Sequence, residues 1–441
     1  MRRAIIGVLV ITLGLLLRAC DITEPPNENQ SINLILEDVS CIEAWIKLST
    51  INLQLPAAIT LKQTNPTGET KSQIINLKTQ DSLLYIDSLL PNKNYHYQVS
   101  SIQHQVSSNE LSVTTMDTTS HNFTWQTWTF GEHSSSVLRD VAIINENNII
   151  AVGEIYMNDS LGQPDPHAYN AVQWDGNKWE LLRVMFYAGC ANPNIMVPYP
   201  ASSIIVFNEN DIWISMYGDQ VARLDGMTQV ETHCMPVSFS INKIWGTSSN
   251  DLYAVGSNGT IVRFNGTLWW RMGTITDLTI YDIWGDLYGE SEDWEILAVA
   301  SDYYHNPDRK IIRILQNRLE IVSDEPLYQP LRALWFKFKK QYYVTGSGVY
   351  QKHYLSDLLW RNKPQDITSF SIYAIRGNNI NDVTGVGAYG KVIHFNGKNW
   401  KTEYQDPLLS FGAYYAIDVS TDITVAVGTE QSKAVITTGK R

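Results

Sequence analysis

The chain writes one line three times. Residues 241–270 read INKIWGTSSNDLYAVGSNGTIVRFNGTLWW, and residues 372–400 read IYAIRGNNINDVTGVGAYGKVIHFNGKNW. A looser copy opens at Leu138, with NNIIAVG and, after an insertion, AVQWDGNKW. Recurrence at a period of about 40 residues marks stacked supersecondary units, each too small to bury its own apolar face. Whatever this chain folds into must be an array.

The copy at 241–271 shows what the unit is made of. INKIWG and DLYAVG are short apolar runs separated by the turn residues SSND; TIVRFN alternates apolar and polar; Asn265-Gly266 then leads to Trp269 and Trp270. Short strands broken by turns, with no helical period, predict an all-β unit. Asn-Gly between two strands predicts a two-residue type I′ hairpin, whose central positions both need φ > 0. The same turn recurs as Asp175-Gly176, Asp225-Gly226 and Asn396-Gly397, and three copies are followed by Trp179, Trp269 and Trp400. Four strands closing on a Gly turn and a Trp describe a propeller blade. Degenerate copies fill the gaps, so that starts at 138, 203, 241, 280, 331, 372 and 413 predict seven blades. The last copy has three strands. Residues 122–130, NFTWQTWTF, look like the closing segment NGKNWKTEY at 396–404 and are expected to supply the fourth. That arrangement removes an exposed sheet edge.

On these residues the stretch 122–438 resembles the broad family of bacterial seven-bladed propellers with WD40/YVTN/BNR-like repeats. The resemblance implies a fold and leaves function open. The full Asp box, Ser-x-Asp-x-Gly-x-Thr-Trp, is absent and only its Asn/Asp-Gly-x-x-Trp tail survives, which argues against a sialidase. Residues 31–116 contain seven short runs, from INLILEDVS to ELSVTT, and the stretch Leu90-Pro91-Asn92-Lys93-Asn94-Tyr95. In this they resemble a fibronectin type III domain, an Ig-like sandwich. The resemblance implies that Tyr95 is the corner tyrosine, bonding back to the backbone, and Trp45 the core tryptophan. The expected layout is a signal peptide at 1–19, a tether at 20–30, the fibronectin type III-like domain at 31–116, a linker at 117–121 and the propeller at 122–441.

Met1-Arg2-Arg3 followed by the mostly apolar Ile5–Leu17 reads as a secretory signal, since a spanning helix needs about 20 apolar residues. Leu17-Arg18-Ala19-Cys20 resembles a lipobox, with Arg18 as its departure from the pattern. The resemblance implies that Cys20 is diacylated and anchors the chain, each buried CH₂ contributing ~0.8 kcal/mol; an ordinary cleaved signal with an incidental Cys is the alternative. The polar DITEPPNENQS that follows suits a tether. With 45 Asp and Glu against 33 Lys and Arg, the net charge of −12 disfavours nucleic acid as a partner. The 14 Trp and 23 Tyr are expected to pack sheet against sheet before serving any ligand. Cys190 and Cys234 follow the last strands of neighbouring blades. A disulfide and two separate loop thiols both fit that placement. Cys41 is expected as a small buried apolar residue.

Catalytic signatures are missing. No H-E-x-x-H, C-x-x-C, G-x-S-x-G or P-loop occurs. Asp140 and Asp282 fall where other copies carry Lys243, Ala333 and Ala374, and the nine His share no spacing. No cofactor and no metal are expected. What stands out is loop length. The second-to-third-strand connections Glu154–Tyr169 and Ser301–Lys310, and the blade-to-blade connection 183–202, are long and belong to one face. Tyr156, His167, Tyr187, Tyr199, Tyr303, Tyr304, His305 and Arg309 are the candidate binding residues there. The reading is a non-enzymatic, lipid-anchored cell-envelope scaffold that binds a protein or cell-surface polymer. The alternative, a lyase or glycosidase, requires two or three carboxylates converging at the channel mouth. A purely structural envelope component would have no concave site.

Overall fold

The structure, a computed structural model, describes residues 30–101, 103, 105–287, 293–302, 308–316, 318–362, 370–405, 409 and 411–441. The signal, Cys20 and most of the tether lie outside the described residues, as do Tyr303, Tyr304 and His305. The chain forms two compact units, residues 43–115 with the segment ending at Val39, and residues 116–441 with Ser40–Ile42.

The smaller unit has two antiparallel sheets. One orders Ser31–Val39, Ala44–Ile51 and Asp81–Ile86; the other orders Thr70–Leu77, Ala57–Thr64, Asn94–Ser101 and Val106–Ser107, with Leu111–Thr114 also on Asn94–Ser101. Alternation does the sorting: Ala44, Ile46 and Leu48 from one sheet and Ile59, Leu61, Tyr97 and Val99 from the other enter one core. Tyr95 is buried, and its hydroxyl accepts the Leu90 N–H at 2.9 Å. Trp45 is buried, as expected of a core tryptophan, but on the other face of its strand. It sits between Ala44 and Ile46, so the two-residue period turns it to the opposite face of its strand, where it lies against Tyr85 with ring centroids 5.8 Å apart.

The larger unit contains seven four-stranded antiparallel sheets. Their first strands are Val137–Asn145, Ala201–Asn208, Ile241–Ser248, Thr279–Leu287, Leu331–Lys337, Ile372–Asn379 and Ala413–Val419. Each first strand packs on the next, and the seventh packs on the first. Six sheets take four strands in sequence. The seventh takes Ala413–Val419, Ile423–Glu430 and Lys433–Lys440, then adds Thr124–Phe130 from ahead of the first sheet. Seven pairs join that strand to its neighbour, from Ala434↔Phe130 to Lys440↔Thr124, so the edge of Ala434–Lys440 is covered. Second strands such as Asp251–Gly256 are buried nearly end to end, because a sheet covered on both faces needs apolar residues at consecutive positions. The repeated tryptophans fill the seams. Trp179 lies 5.8 Å from Trp128, Trp269 meets Trp213 edge-on at 6.5 Å, and Trp400 meets Tyr343 edge-on at 5.7 Å.

The recurrent Gly turns differ from the expected type I′ hairpins. Gly176, Gly266 and Gly397 have φ of 95°, 87° and 91°, whereas the Asp or Asn before each does not enter the left-handed region. The side chain of that preceding residue supplies the turn. Asp175 Oδ1 accepts the N–H groups of Asn177 and Lys178 at 2.8 and 2.9 Å, Asn265 Oδ1 those of Thr267 and Leu268, and Asn396 Oδ1 those of Lys398 and Asn399. The motif is an Asx turn with a glycine in it, which explains why Asp and Asn exchange freely at this place.

Candidate functional site

Between the first two strands of every one of the seven sheets the register slips at one shared place, near the start of the first strand. The unpaired residues are Arg139, Ser202, Asn242, Tyr281, Arg332, Tyr373 and Tyr415. A bulge bends its strand and re-aims one side chain. Here all seven re-aimed residues line one cavity of about 710 Å³, whose rim is finished by loop residues including Tyr217, Tyr389 and Phe411.

The lining is cationic and aromatic. Arg332 lies over the Tyr281 ring at 4.5 Å and near the Tyr373 ring at 5.6 Å, and Tyr373 stacks on Tyr415 at 6.1 Å with the rings 17° from parallel. Burial pushes the Tyr415 hydroxyl pKa up, so it remains a neutral donor and acceptor. Across the cavity Arg139 lies 4.9 Å from the Tyr217 ring centre and donates to Glu154 Oε1 at 2.9 Å. Among the described residues the lining holds no Asp or Glu. Phe411 is 82% exposed, a large apolar side chain left in water at the rim.

One residue deeper, the acids are already used. Asp140 Oδ2 accepts the Ile204 N–H at 2.9 Å and the Ser203 hydroxyl at 2.6 Å, while Lys243 donates to both its oxygens at 2.7 Å. Asp282 accepts the Leu334 N–H at 3.0 Å and both terminal nitrogens of Arg376 at 2.9 and 2.7 Å. Asp418 accepts the Ile143 N–H at 2.7 Å. In each case a side chain on one first strand satisfies a backbone donor on the first strand of the next sheet. These acids stitch sheets together beneath the cavity.

The candidate residues named from the sequence fall elsewhere. None of the described ones lines this cavity. Tyr156 comes nearest, donating to Glu154 Oε2 at 2.9 Å and so touching the carboxylate that holds Arg139; burial, then the Glu154 carboxylate, raises its pKa. The His167 carbonyl accepts from Arg183 at 2.6 Å. Tyr187 and Tyr199 share a small hairpin beside the second sheet: the Tyr187 N–H donates to Gln220, and the Tyr199 hydroxyl to the Ala188 carbonyl. Arg309 pairs with Asp324 at 3.2 Å. Cys190 and Cys234 form a disulfide, and Cys41 is buried with its Sγ 2.9 Å from the Asp117 carbonyl. Four site residues escape a sequence reading: Tyr281, Arg332, Tyr373 and Tyr415. Each sits one position before the strand residue that the repeat aligns with Asp140. A strict two-residue period turns them away from the cavity; the bulge turns them into it.

A fold of four-stranded sheets ordered around a common cavity defines the chain as a β-propeller protein. No protein-family model and no curated protein match it. Among solved structures it is similar to YCF48 bound to D1 peptide, at 16% identity and a TM-score of 0.50, covering 72% of this chain and 97% of that one. It is also similar to YCF48 from Cyanidioschyzon merolae, at 14% identity and a TM-score of 0.50, covering 71% of this chain and 98% of that one. At these identities the likeness concerns the fold alone.

Proposed function

We propose that this chain is a non-enzymatic, lipid-anchored cell-envelope scaffold whose seven sheets are the blades of a closed propeller. It binds a peptide segment of a protein partner in the cavity at the bulge positions. The observation that carries the reading is the placement of one residue from each of seven sheets around a single cavity, with Arg332 against two tyrosine rings. Tyr and Arg dominate binding hot spots because they bring large area and directional donors with few rotors. The guanidinium of Arg332 brings positive charge to an aromatic lining, while Tyr415 and Phe411 offer apolar surface. The ligand chemistry is therefore a segment carrying a carboxylate beside an aromatic or aliphatic side chain. One protein of similar fold, YCF48, has been solved bound to D1 peptide, which is consistent with this use of a propeller.

The smaller unit we assign as a fibronectin type III-like sandwich, on its two facing sheets and the Leu90–Tyr95 hydrogen bond. The anchor rests on Leu17–Cys20, outside the described residues. Labelling with a palmitate analogue tests it: Cys20→Ser should lose the label and leave the membrane fraction. The binding reading is tested by selecting ligands for the full chain from a displayed random-peptide library and measuring fluorescence anisotropy. Selected peptides should carry an acidic residue next to an apolar one, and Arg332→Ala should weaken them about 10-fold or more. Peptides that bind Arg332→Ala and Tyr373→Ala equally well would place the site elsewhere.

A further inference from the structure

The sixth sheet breaks a pattern kept by its relatives. In the second sheet Asp211, at the start of the second strand, accepts from Arg223, twelve residues on, at 3.0 Å. In the third sheet Asp251 accepts from Arg263, again twelve residues on, at 2.8 Å. The sixth sheet keeps the aspartate and the spacing but replaces the arginine: Asp382 Oδ1 faces His394 Nε2 at 2.9 Å, and Arg441, just past the strand Lys433–Lys440, supplies the guanidinium, with Nη1 2.8 Å from Asp382 Oδ2. An arginine at 394 could only donate. A histidine keeps its other nitrogen for something else.

That nitrogen points into a cluster. His394 Nδ1 lies 2.9 Å from His121 Nδ1, and His121 Nδ1 lies 3.0 Å from Glu403 Oε1. His121 precedes the strand Thr124–Phe130 by three residues, His394 is on the third strand of the sixth sheet, and Glu403 is on the fourth. Glu403 is itself the unpaired residue of a bulge, since Val392 pairs with Tyr404 and Ile393 with Thr402, and the bulge aims it inward. Its side chain is 3% exposed, and Lys401 Nζ stands 3.6 Å from Oε1. With Asp382 taking the proton of His394 Nε2, His394 Nδ1 is a lone pair. Two imidazole lone pairs and a carboxylate oxygen then converge, with one proton at most, on His121 Nδ1, between them.

We propose that His121 Nδ1, His394 Nδ1 and the Glu403 carboxylate form a binding site for a divalent transition metal of the zinc type, with Asp382 as the outer carboxylate that orients His394. Two imidazoles and a carboxylate are a zinc donor set that leaves a fourth position for water. Ligands about 2.0–2.2 Å from one tetrahedral ion stand roughly 3.3 Å apart; the separations of 2.9 and 3.0 Å to His121 Nδ1 need to open by a few tenths of an ångström, and all three donors already lie within 4.8 Å of one another. The Asp382–His394 contact is the carboxylate–histidine arrangement that fixes the tautomer and raises ligand basicity. Arg441 Nη2, 3.2 Å from His394 Nε2, opposes the cation, and its salt bridge with Asp382 offsets that opposition. The ion would clasp the segment leading into Thr124–Phe130 to the neighbouring sheet.

The test uses the full chain, stripped with chelator and desalted. Incubation with zinc followed by desalting should leave about one zinc ion per chain by elemental analysis, and saturating zinc should raise Tm by several degrees. Cobalt in its place should give the visible absorption of a tetrahedral ion. His121→Ala, which leaves the Asp382–His394–Arg441 contacts in place, should lose the bound zinc, the cobalt spectrum and the Tm shift while its circular dichroism stays that of the wild type. Glu403→Gln should weaken zinc binding at least as much as the roughly 10- to 100-fold typical of outer partners. Absence of stoichiometric zinc from the wild type, or equal retention by wild type and His121→Ala, would overturn the proposal.

Discussion

At the scale of single residues, a shift of one position decides which of two kinds of work a side chain does. Arg139 looks into the cavity and Asp140 looks beneath it. Truncating Asp140 leaves the Ile204 N–H and the Lys243 ammonium without their shared acceptor. Asp140→Ala should therefore cost about 3 kcal/mol or more in urea unfolding, the scale of a broken buried pair. Asp418 gives a pH signature. Burial raises its pKa in the fold above the unfolded value, so as pH rises from about 4 the unfolded chain releases this proton first and the contribution to stability declines. Asp418→Asn cannot titrate. Its stability relative to wild type should improve from pH 4 to pH 7, and a constant difference across that range would refute the assignment. The legibility of the site ends at this scale as well. The repeat places Asp140, Asp282 and their equivalents on the first strands, but no residue type announces a bulge. Tyr281, Tyr373 and Tyr415 consequently read from the sequence as packing aromatics, and nothing there singles out Arg332.

At the scale of elements, the sequence is legible where local chemistry settles the outcome. The repeat starts 138, 203, 241, 280, 331, 372 and 413 fall within two residues of the first strands, because apolar runs and Asn, Asp and Gly punctuation decide strand ends locally. The turn type is not legible in the same way, because Asn-Gly serves a type I′ hairpin and an Asx turn alike; only the acceptor role of Asn265 separates them. Replacing Asn265 by Ala should cost about 1 kcal/mol, and Asn265→Asp should cost little, as judged by thermal unfolding. The hairpin that carries Cys190 is held to the second sheet by the disulfide to Cys234, which spans 44 residues. On loop entropy alone, reducing that bond should destabilise the unit by up to about 4 kcal/mol, read as a lower urea midpoint in dithiothreitol that Cys190→Ser reproduces without it.

At the scale of the whole molecule, the outer strand of the last sheet comes from before the first. A chain lacking residues 122–130 should expose the Lys433–Lys440 edge, lose cooperative unfolding and aggregate, and a synthetic peptide of those residues should restore solubility when added. Aggregation unaffected by the peptide would show that the strand does more than cover an edge. The likeness between NFTWQTWTF and NGKNWKTEY makes this pairing visible in the sequence, because equivalent strands carry equivalent aromatics. The convergence of His121, His394 and Glu403 is invisible there: 273 residues separate the two histidines, and no spacing records what the fold brings together.

The seven bulges carry a further implication. Each hands the cavity one side chain whose own backbone stands outside the ladder, so exchanging that side chain leaves every strand pairing as it was. On the proposed function, recognition would be written in seven characters, one per sheet, on a page that does not change when a character does. Descendants of such a chain are free to acquire new ligands by spelling alone.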